Sequence, residues 1–326
     1  MDVGVGDLRI RKREWSVQME KLLFVYNPRS GKGLIRNNLS SIIETFSEGG
    51  YDVTVYPTKK ELDACETVER RAGEFDLIVC GGGDGTLDEV VAGLMHGGHR
   101  KTVGYIPAGS TNDFAGSLGI PKQMDQAAKL VVEGEPFACD IGRFNEDYFV
   151  YVAAFGLLTD VSYQTPQDMK NALGHAAYVL EGMKRMGSWK SCQLTIESEE
   201  YAEENGEFVF GMVTNSNSVG GFKGLPGKHV ELNDGLFEVT LVHAPKNLID
   251  WQEAITSVLT HDEKSHMVVR FKTKRIVIRS EKPVAWTRDG ENGGEHTQVE
   301  LTNLQEVLEI MTESQTELAV HGAPLG

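Results

Sequence analysis

The sequence predicts two unlike halves, a doubly wound α/β unit over residues 19–142 followed by an antiparallel β unit over 143–312. Three observations lead there. Strand-like and helix-like patterns alternate as β-α-β-α-β-α-β from Leu22 to Ile106, the mark of parallel strands joined by helical crossovers. Midway, the apolar run Phe75-Asp76-Leu77-Ile78-Val79 passes through Cys80-Gly81-Gly82-Gly83-Asp84-Gly85-Thr86 into a helical pattern. From Asp140-Ile141-Gly142 onward the period changes to short strand-like runs separated by turn-rich segments.

Taken in order, Leu22-Leu23-Phe24-Val25-Tyr26 is apolar without alternation, as in a strand buried on both faces. It ends in Asn27-Pro28-Arg29-Ser30-Gly31-Lys32-Gly33, which is not a Walker A loop: the first glycine is missing, and Gly33 follows Lys32 where a Ser or Thr would stand. A helix is predicted around Leu39, Ile42, Ile43 and Phe46, then an alternating strand at 51–56 ending in Pro57-Thr58, then a charged helix at about 59–73. After the glycine turn, Leu87, Val90, Val91 and Leu94 share one helical face, with Asp88 and Glu89 expected in the first turn where the helix dipole favours them. The strand at 102–106 leads to Pro107-Ala108-Gly109-Ser110-Thr111-Asn112-Asp113-Phe114-Ala115, a hydroxyl- and amide-rich loop before another helix.

Ligands of such sheets bind beyond the carboxyl ends of the strands, where these loops all lie. Glycines let backbone N–H groups approach an anion, and a helix N-terminus adds partial positive charge. Asp84 beside phosphates reads as a metal or sugar contact; the competing reading is a tight turn with Asp as a cap. The candidate nucleotide contacts are Asn27, Pro28, Arg29, Ser30, Gly31, Lys32 and Thr58, the run Gly82, Gly83, Asp84, Gly85, Thr86, Leu87, Asp88 and Glu89, and Ser110, Thr111 and Asn112.

The bulk properties exclude several classes. A net charge of −16 over 326 residues argues against a nucleic-acid partner. Cys65, Cys80, Cys139 and Cys192 show neither a CxxC pair nor a framework spacing, as expected in a reducing cytoplasm. No apolar run reaches the ~18 residues of a membrane span, and the longest, 149–158, reads as one or two core strands. The stretch 8–15 is basic without the apolar core of a signal peptide, and residues 1–18 read as a disordered extension or an over-long start; 313–326 are read as a weakly ordered tail. There is no GxSxG elbow, HExxH or Cys/His cluster in the sequence to suggest a serine hydrolase or a transition-metal site.

In the second half, strands are predicted at 148–154, 192–197, 208–214, 237–243, 275–279 and, as closing strands, 299–311, with helices at 174–186 and 248–259. The acidic stretch 197–207 reads as a solvated hairpin loop. Tyr178, Leu180, Met183, Met186 and Trp189 could face a lipid tail, although a plain core face is the favoured reading. Glu231-Leu232-Asn233-Asp234-Gly235-Leu236-Phe237 and Trp286-Thr287-Arg288-Asp289-Gly290-Glu291 each read locally as an Asp-Gly turn.

NPRSGKG, GGGDGTLDEVVAG and PAGSTNDFAGSLGIP, in this order and spacing, resemble the diacylglycerol kinase catalytic-domain family, most closely its soluble bacterial lipid kinases. Ser110 stands where that family usually has Thr, and retains the hydroxyl. The resemblance implies an N-terminal α/β nucleotide domain, a C-terminal antiparallel β-sandwich, an active site in the interdomain cleft, and the closing strands packing back on the first domain. It implies a Mg²⁺ site at Asp234 with the carbonyls of Glu231 and Leu236, and a proton acceptor in the Asp-Gly-Glu turn, with Glu291 placed ahead of Asp289. A kinase acting on an alcohol needs such a carboxylate near the acceptor hydroxyl. The implied activity is ATP-dependent phosphorylation of a membrane lipid, most naturally diacylglycerol to phosphatidic acid. Such an enzyme would be cytoplasmic with peripheral contact at the inner membrane face, where Lys184, Arg185 and Lys190 could serve; a homodimer is left open. The alternatives are a soluble-substrate kinase resembling NAD kinase and a non-catalytic nucleotide-binding regulator.

Overall fold

A computed structural model describes residues 19–156, 191–201, 204–223, 225–227, 230–262 and 264–313. The predicted helix at 174–186, its apolar cluster, the three basic residues and the extension 1–18 lie outside the described residues, as does the tail beyond Glu313. The first half runs β1 (Glu20–Tyr26), α1 (Leu34–Glu48), β2 (Tyr51–Pro57), α2 (Asp63–Arg71), β3 (Leu77–Gly82), α3 (Asp84–His96), β4 (Thr102–Pro107), α4 (Asp113–Ser117) and α5 (Met124–Glu133). Residues 22–25 of β1 are wholly buried because the strand pairs in parallel on both edges, with β2 and with β3. Ile35, Ile42 and Phe46 put one face of α1 into this core, where Phe46 meets Phe24 edge-on at 5.6 Å.

The parallel order is β2-β1-β3-β4. The chain leaves β1 toward one edge and returns to β3 on the other side, so a topological switch point falls between β1 and β3, the place beyond the carboxyl ends of the strands where open α/β sheets bind ligands. One local expectation is corrected. Helix α3 begins at Asp84, so Asp84 occupies the first turn and Asp88 and Glu89 lie beyond it. The glycine turn is shorter than its sequence suggests because Asp84 and Gly85 already belong to the helix.

The second half contains β5 (Glu135–Phe144), β6 (Asp147–Phe149), β7 (Val152–Gly156), β8 (Cys192–Ser198), β9 (Glu204–Thr214), the hairpin β10 (Ser218–Val219) and β11 (Phe222–Lys223), β12 (Phe237–His243), α6 (Leu248–Thr260), β13 (Val268–Thr273), β14 (Arg275–Arg288) and β15 (Glu291–Thr312). Among the described residues, and apart from the β10–β11 hairpin, these strands join one sheet of 13 strands with those of the first half, an extensive mixed α/β architecture. Antiparallel ladders run β9–β7–β14–β8 and back to β9, closing a circuit. Phe155, Leu194, Ile196, Phe208, Ile276, Ile278 and Trp286 from those four strands share one apolar cluster.

Strands β5 and β13 were not predicted, and β14 and β15 are far longer than the apolar runs that announced them. The register of β14 against β15 shifts between Arg279 and Val284, so one strand serves β8 with its first part and β7 with its last. The predicted strand at 148–154 is broken at Val150 and Tyr151, whose N–H groups turn to a side chain described below. Strand β15 runs antiparallel to β5 and reaches β4 in parallel at Glu309 and Ile310, which makes the sheet continuous through both halves.

Candidate active site at the carboxyl ends of the parallel strands

Three loops meet at the switch point through backbone. Asn27 N–H donates to Gly81 O at 2.8 Å, Thr58 N–H to Tyr26 O at 2.9 Å, and Ala108 N–H to Gly82 O at 2.7 Å. Gly31 has φ +56°, and a Cβ there would stand 2.3 Å from Ala108 O; one on Gly109 would stand 2.6 Å from Gly83 Cα. The glycines are therefore required by the approach of the loops to one another as well as by any ligand. Pro28 and Arg29 are held in a turn by Asn27, whose Oδ1 accepts from Arg29 N–H at 2.9 Å and whose carbonyl accepts from Ser30 N–H. Lys32 lies in the 3₁₀ turn Ser30–Gly33. Arg29, Ser110 and Thr111 are exposed, while Thr86 is buried over Gly82.

Asp84 acts as a cap, for a helix other than its own. Its carboxylate accepts from the N–H groups of Asp113 (3.0 Å) and Phe114 (3.3 Å), the first residues of α4. Burial pushes its carboxyl up to about 6, against the effect of those two donors. Asn112, at φ +55°, closes its own loop: Oδ1 accepts from Gly109 N–H at 2.9 Å and Nδ2 donates to Gly109 O at 3.0 Å. Asp113, absent from the predicted contacts, is buried and accepts from Ser218 Oγ at 2.6 Å and Gly221 N–H at 2.9 Å, tying the loop to the β10–β11 hairpin.

Three predicted contacts are turned elsewhere. Leu87 is wholly buried in the core. Glu89 caps α2, its two oxygens accepting from Leu62 and Ala64 N–H at 3.0 Å each. Asp88 lies within the field of Asp289, and burial and that charge push its carboxyl well above the ordinary carboxylate range. On a helix starting at Asp84, these side chains come after the first turn and pack against neighbouring elements.

The turn between β14 and β15 brings the second half to the first. Asp289 is buried at φ +48°, and its carboxylate accepts from three successive backbone N–H groups: Val150, Tyr151 at 2.9 Å and Val152 at 2.9 Å. Glu291 is exposed and lies over the glycine turn, since a Cβ on Gly85 would come within 2.9 Å of its Oε1. Sequence left two acids in contention; the structure gives them opposite environments. Glu291 reaches the start of α3, where the first N–H groups of a helix lack intrahelical partners.

The loop carrying Glu231, Asp234 and Leu236 is a second acidic centre. Asp234 Oδ1 accepts from Leu236 N–H at 3.0 Å, and Oδ2 pairs with Lys272 Nζ at 2.8 Å. Lys272 also reaches Glu238 Oε1 at 3.1 Å, and burial pushes the Glu238 carboxyl up to about 7. Asp140 is wholly buried beside this loop; it accepts from Gly235 N–H at 2.7 Å and Glu306 N–H at 2.8 Å. The buried Asn215 Oδ1 has no protein partner. Asp234 and Glu238 share the Lys272 ammonium, and Asp140 adds a third carboxylate beside the loop; oxygen donors of this kind are what a hard divalent cation accepts. Sequence reasoning passed over Asp140 and Lys272; a lone Asp inside the apolar run of β5 was the available signal.

The structure also brings Cys65, Glu69 and His96 together, a Cys/His grouping that the sequence does not display because it joins α2 to the end of α3. The Cys65 thiol is pushed up to about 11, chiefly by burial, and Glu69 and His96 are exposed.

The model of the diacylglycerol kinase catalytic domain matches residues 21–144. A diacylglycerol kinase of Bacillus subtilis (strain 168) is 36% identical over 280 residues, covering 85% of this chain and 91% of the relative. The chain belongs to the diacylglycerol kinase family. A second family member, from Staphylococcus aureus (strain Newman), is 35% identical over 272 residues, 83% of this chain and 85% of that one. The crystal structure of a diacylglycerol kinase from Bacillus anthracis str. Sterne shares the fold, with a TM-score of 0.70 at 24% identity over 91% of this chain and 98% of the other.

Proposed function

We propose that this chain transfers the γ-phosphoryl group of ATP, taken as its magnesium complex, to the free hydroxyl of diacylglycerol, yielding phosphatidic acid. The observation that carries the reading is the exposed Glu291 carboxylate lying over Gly85 at the start of α3. A helix N-terminus suited to phosphate and a carboxylate suited to a hydroxyl are thereby within reach of one another. In this reading the α/β unit is the nucleotide domain, the β unit is a lipid-facing sandwich domain, and the site is the cleft between them.

The residues divide the work as follows. Backbone N–H groups of the loops at 27–33, 82–86 and 108–112, together with Arg29, Lys32, Ser110 and Thr111, hold the triphosphate. Glu291 orients the acceptor hydroxyl and takes its proton as its oxygen bonds to the γ-phosphorus; the bond to the bridging oxygen breaks and ADP leaves with that electron pair. Asp289 anchors the turn carrying Glu291. Positioning and charge placement supply most of the acceleration in such transfers. Asp234 and the carbonyls of Glu231 and Leu236 would hold a magnesium ion, which would supply positive charge to the acidic loop beside Asp140. The substrate resides in a bilayer, so the enzyme works at the membrane surface by peripheral contact; among the described residues no helix is long and apolar enough to cross.

The test is transfer of labelled γ-phosphate to a lipid panel in mixed micelles, with NAD and a lipid-free control. Label on diacylglycerol is expected. Label on another lipid keeps the chemistry and changes the substrate, label on NAD alone overturns the lipid reading, and no transfer while ATP still binds supports a regulatory protein.

A further inference from the structure

We propose that Cys65, Glu69 and His96 form a binding site for a zinc-class divalent cation that clamps α2 to the end of α3. His96 ends α3, about 18 Å along the helix from Asp84, so the site is separate from the strand-end loops and does not depend on the proposed transfer. Cys65 and Glu69 stand one turn apart on α2, the spacing that puts two side chains on one face. The thiol sulfur, a Glu69 carboxylate oxygen and a His96 ring nitrogen all lie within 4.8 Å of one another. Cys65 Sγ is 3.8 Å from His96 Nδ1; sulfur and nitrogen bound to one tetrahedral zinc ion stand about 3.5 Å apart. Glu69 is exposed, so rotation about its side-chain bonds brings the oxygen to ligand distance. Thiolate, imidazole and carboxylate are donors that zinc accepts together, with solvent in the fourth position.

The packing of the two helices brings these groups to one place. Gly93, one turn before His96, lies so close to α2 that a Cβ on it would stand 2.5 Å from Cys65 O. A Cβ on Gly97 would stand 2.8 Å from Glu69 O, and the same carbonyl accepts from His99 Nε2–H at 3.0 Å. The backbone beneath two of the ligands is therefore already held against α3.

His96 is oriented as a ligand. Its Nδ1 faces Cys65, its Nε2 faces Asp147 Oδ1 of β6 at 3.6 Å, and its ring centroid is 5.5 Å from that of Tyr148. A carboxylate behind the second nitrogen of a metal-bound imidazole fixes the ring and raises its basicity. The field agrees with the geometry. The carboxyl end of α3 carries the negative end of the helix dipole, and Glu69, Glu89, Asp147 and Asp88 set negative charge against the thiol. Cys65 binds as thiolate, and its proton passes to solvent as the sulfur–metal bond forms.

The test is titration of the reduced, full-length chain with cobalt(II) alone, followed by zinc. The wild type is expected to develop sulfur-to-cobalt charge-transfer absorption that zinc abolishes by displacement. Cys65→Ser is expected to lose that absorption, while Cys192→Ser, which removes the other half-buried thiol, keeps it. His96→Gln is expected to weaken cobalt binding about 100-fold and Asp147→Asn, which removes the charge behind the ring, about 10-fold. Thermal unfolding without metal establishes that each variant is folded, and zinc is expected to raise the unfolding temperature of the wild type and not of Cys65→Ser. Because His96 is exposed, His96→Gln tests the site even if Cys65→Ser does not fold. A folded wild type without the charge-transfer absorption overturns the proposal. So does absorption that survives Cys65→Ser, or a His96→Gln chain that binds cobalt as tightly as the wild type.

Discussion

The turns at Asn233-Asp234-Gly235 and Asp289-Gly290-Glu291 look alike in sequence, each an acid and a glycine beside an apolar run, and they do different things in the structure. Asp234 is half-buried, bonded to its own loop and paired with Lys272, a cation two strands away. Asp289 is buried under three N–H groups of the segment between β6 and β7, and its turn projects Glu291 onto α3. The lesson is that an Asp-Gly turn acquires its role from what the fold sets opposite it. One is set opposite an ammonium and two further acids, the other opposite a glycine at a helix start.

The contrast is broken most forcefully at Asp289. Asp289→Ala leaves three buried N–H groups without an acceptor, which is expected to lower unfolding free energy by about 3 kcal/mol or more in urea titration and to abolish transfer. A variant as stable as wild type would mean that the anchor is not needed. Gly85→Ala sharpens the other side of the same contact. Alanine suits the helix, but its Cβ would stand 2.9 Å from Glu291 Oε1, so transfer is expected to fall about 10- to 100-fold while thermal stability holds. Unchanged kcat would place the reacting group elsewhere.

The smallest effect is expected at the other turn. Lys272→Met removes the ammonium between Asp234 and Glu238 and should tighten magnesium binding roughly tenfold, about 1.4 kcal/mol, read from the magnesium dependence of thermal unfolding. Unchanged or weakened binding would argue against a cation at this loop.

How much of this was legible beforehand depends on range. Strands β1, β2 and β12 follow from their apolar runs, and α6 from its periodicity, because each is written in its own residues. Strand β13 was hidden: Arg270 and Lys272 interrupt it, and it becomes a strand by pairing with β12. The outer parts of β14 and β15 are polar and extend because long ladders on both sides hold them. At the site, the three strand-end loops and the Asp-Gly-Glu turn were visible as motifs. The choice between Asp289 and Glu291 and the cap that Asp84 gives α4 were not. Each depends on burial or on a partner distant in sequence, and neither is encoded within one motif.

The most direct measurement is transfer of labelled γ-phosphate to diacylglycerol by Glu291→Gln, beside its affinity for ATP. The side chain is exposed, so the amide should leave the fold unchanged. Loss of turnover by about 1,000-fold or more, within the range expected for a positioned general base, with ATP binding retained, is the expected result. Wild-type turnover in that variant would contradict the assignment of Glu291 and the account of the site built on it.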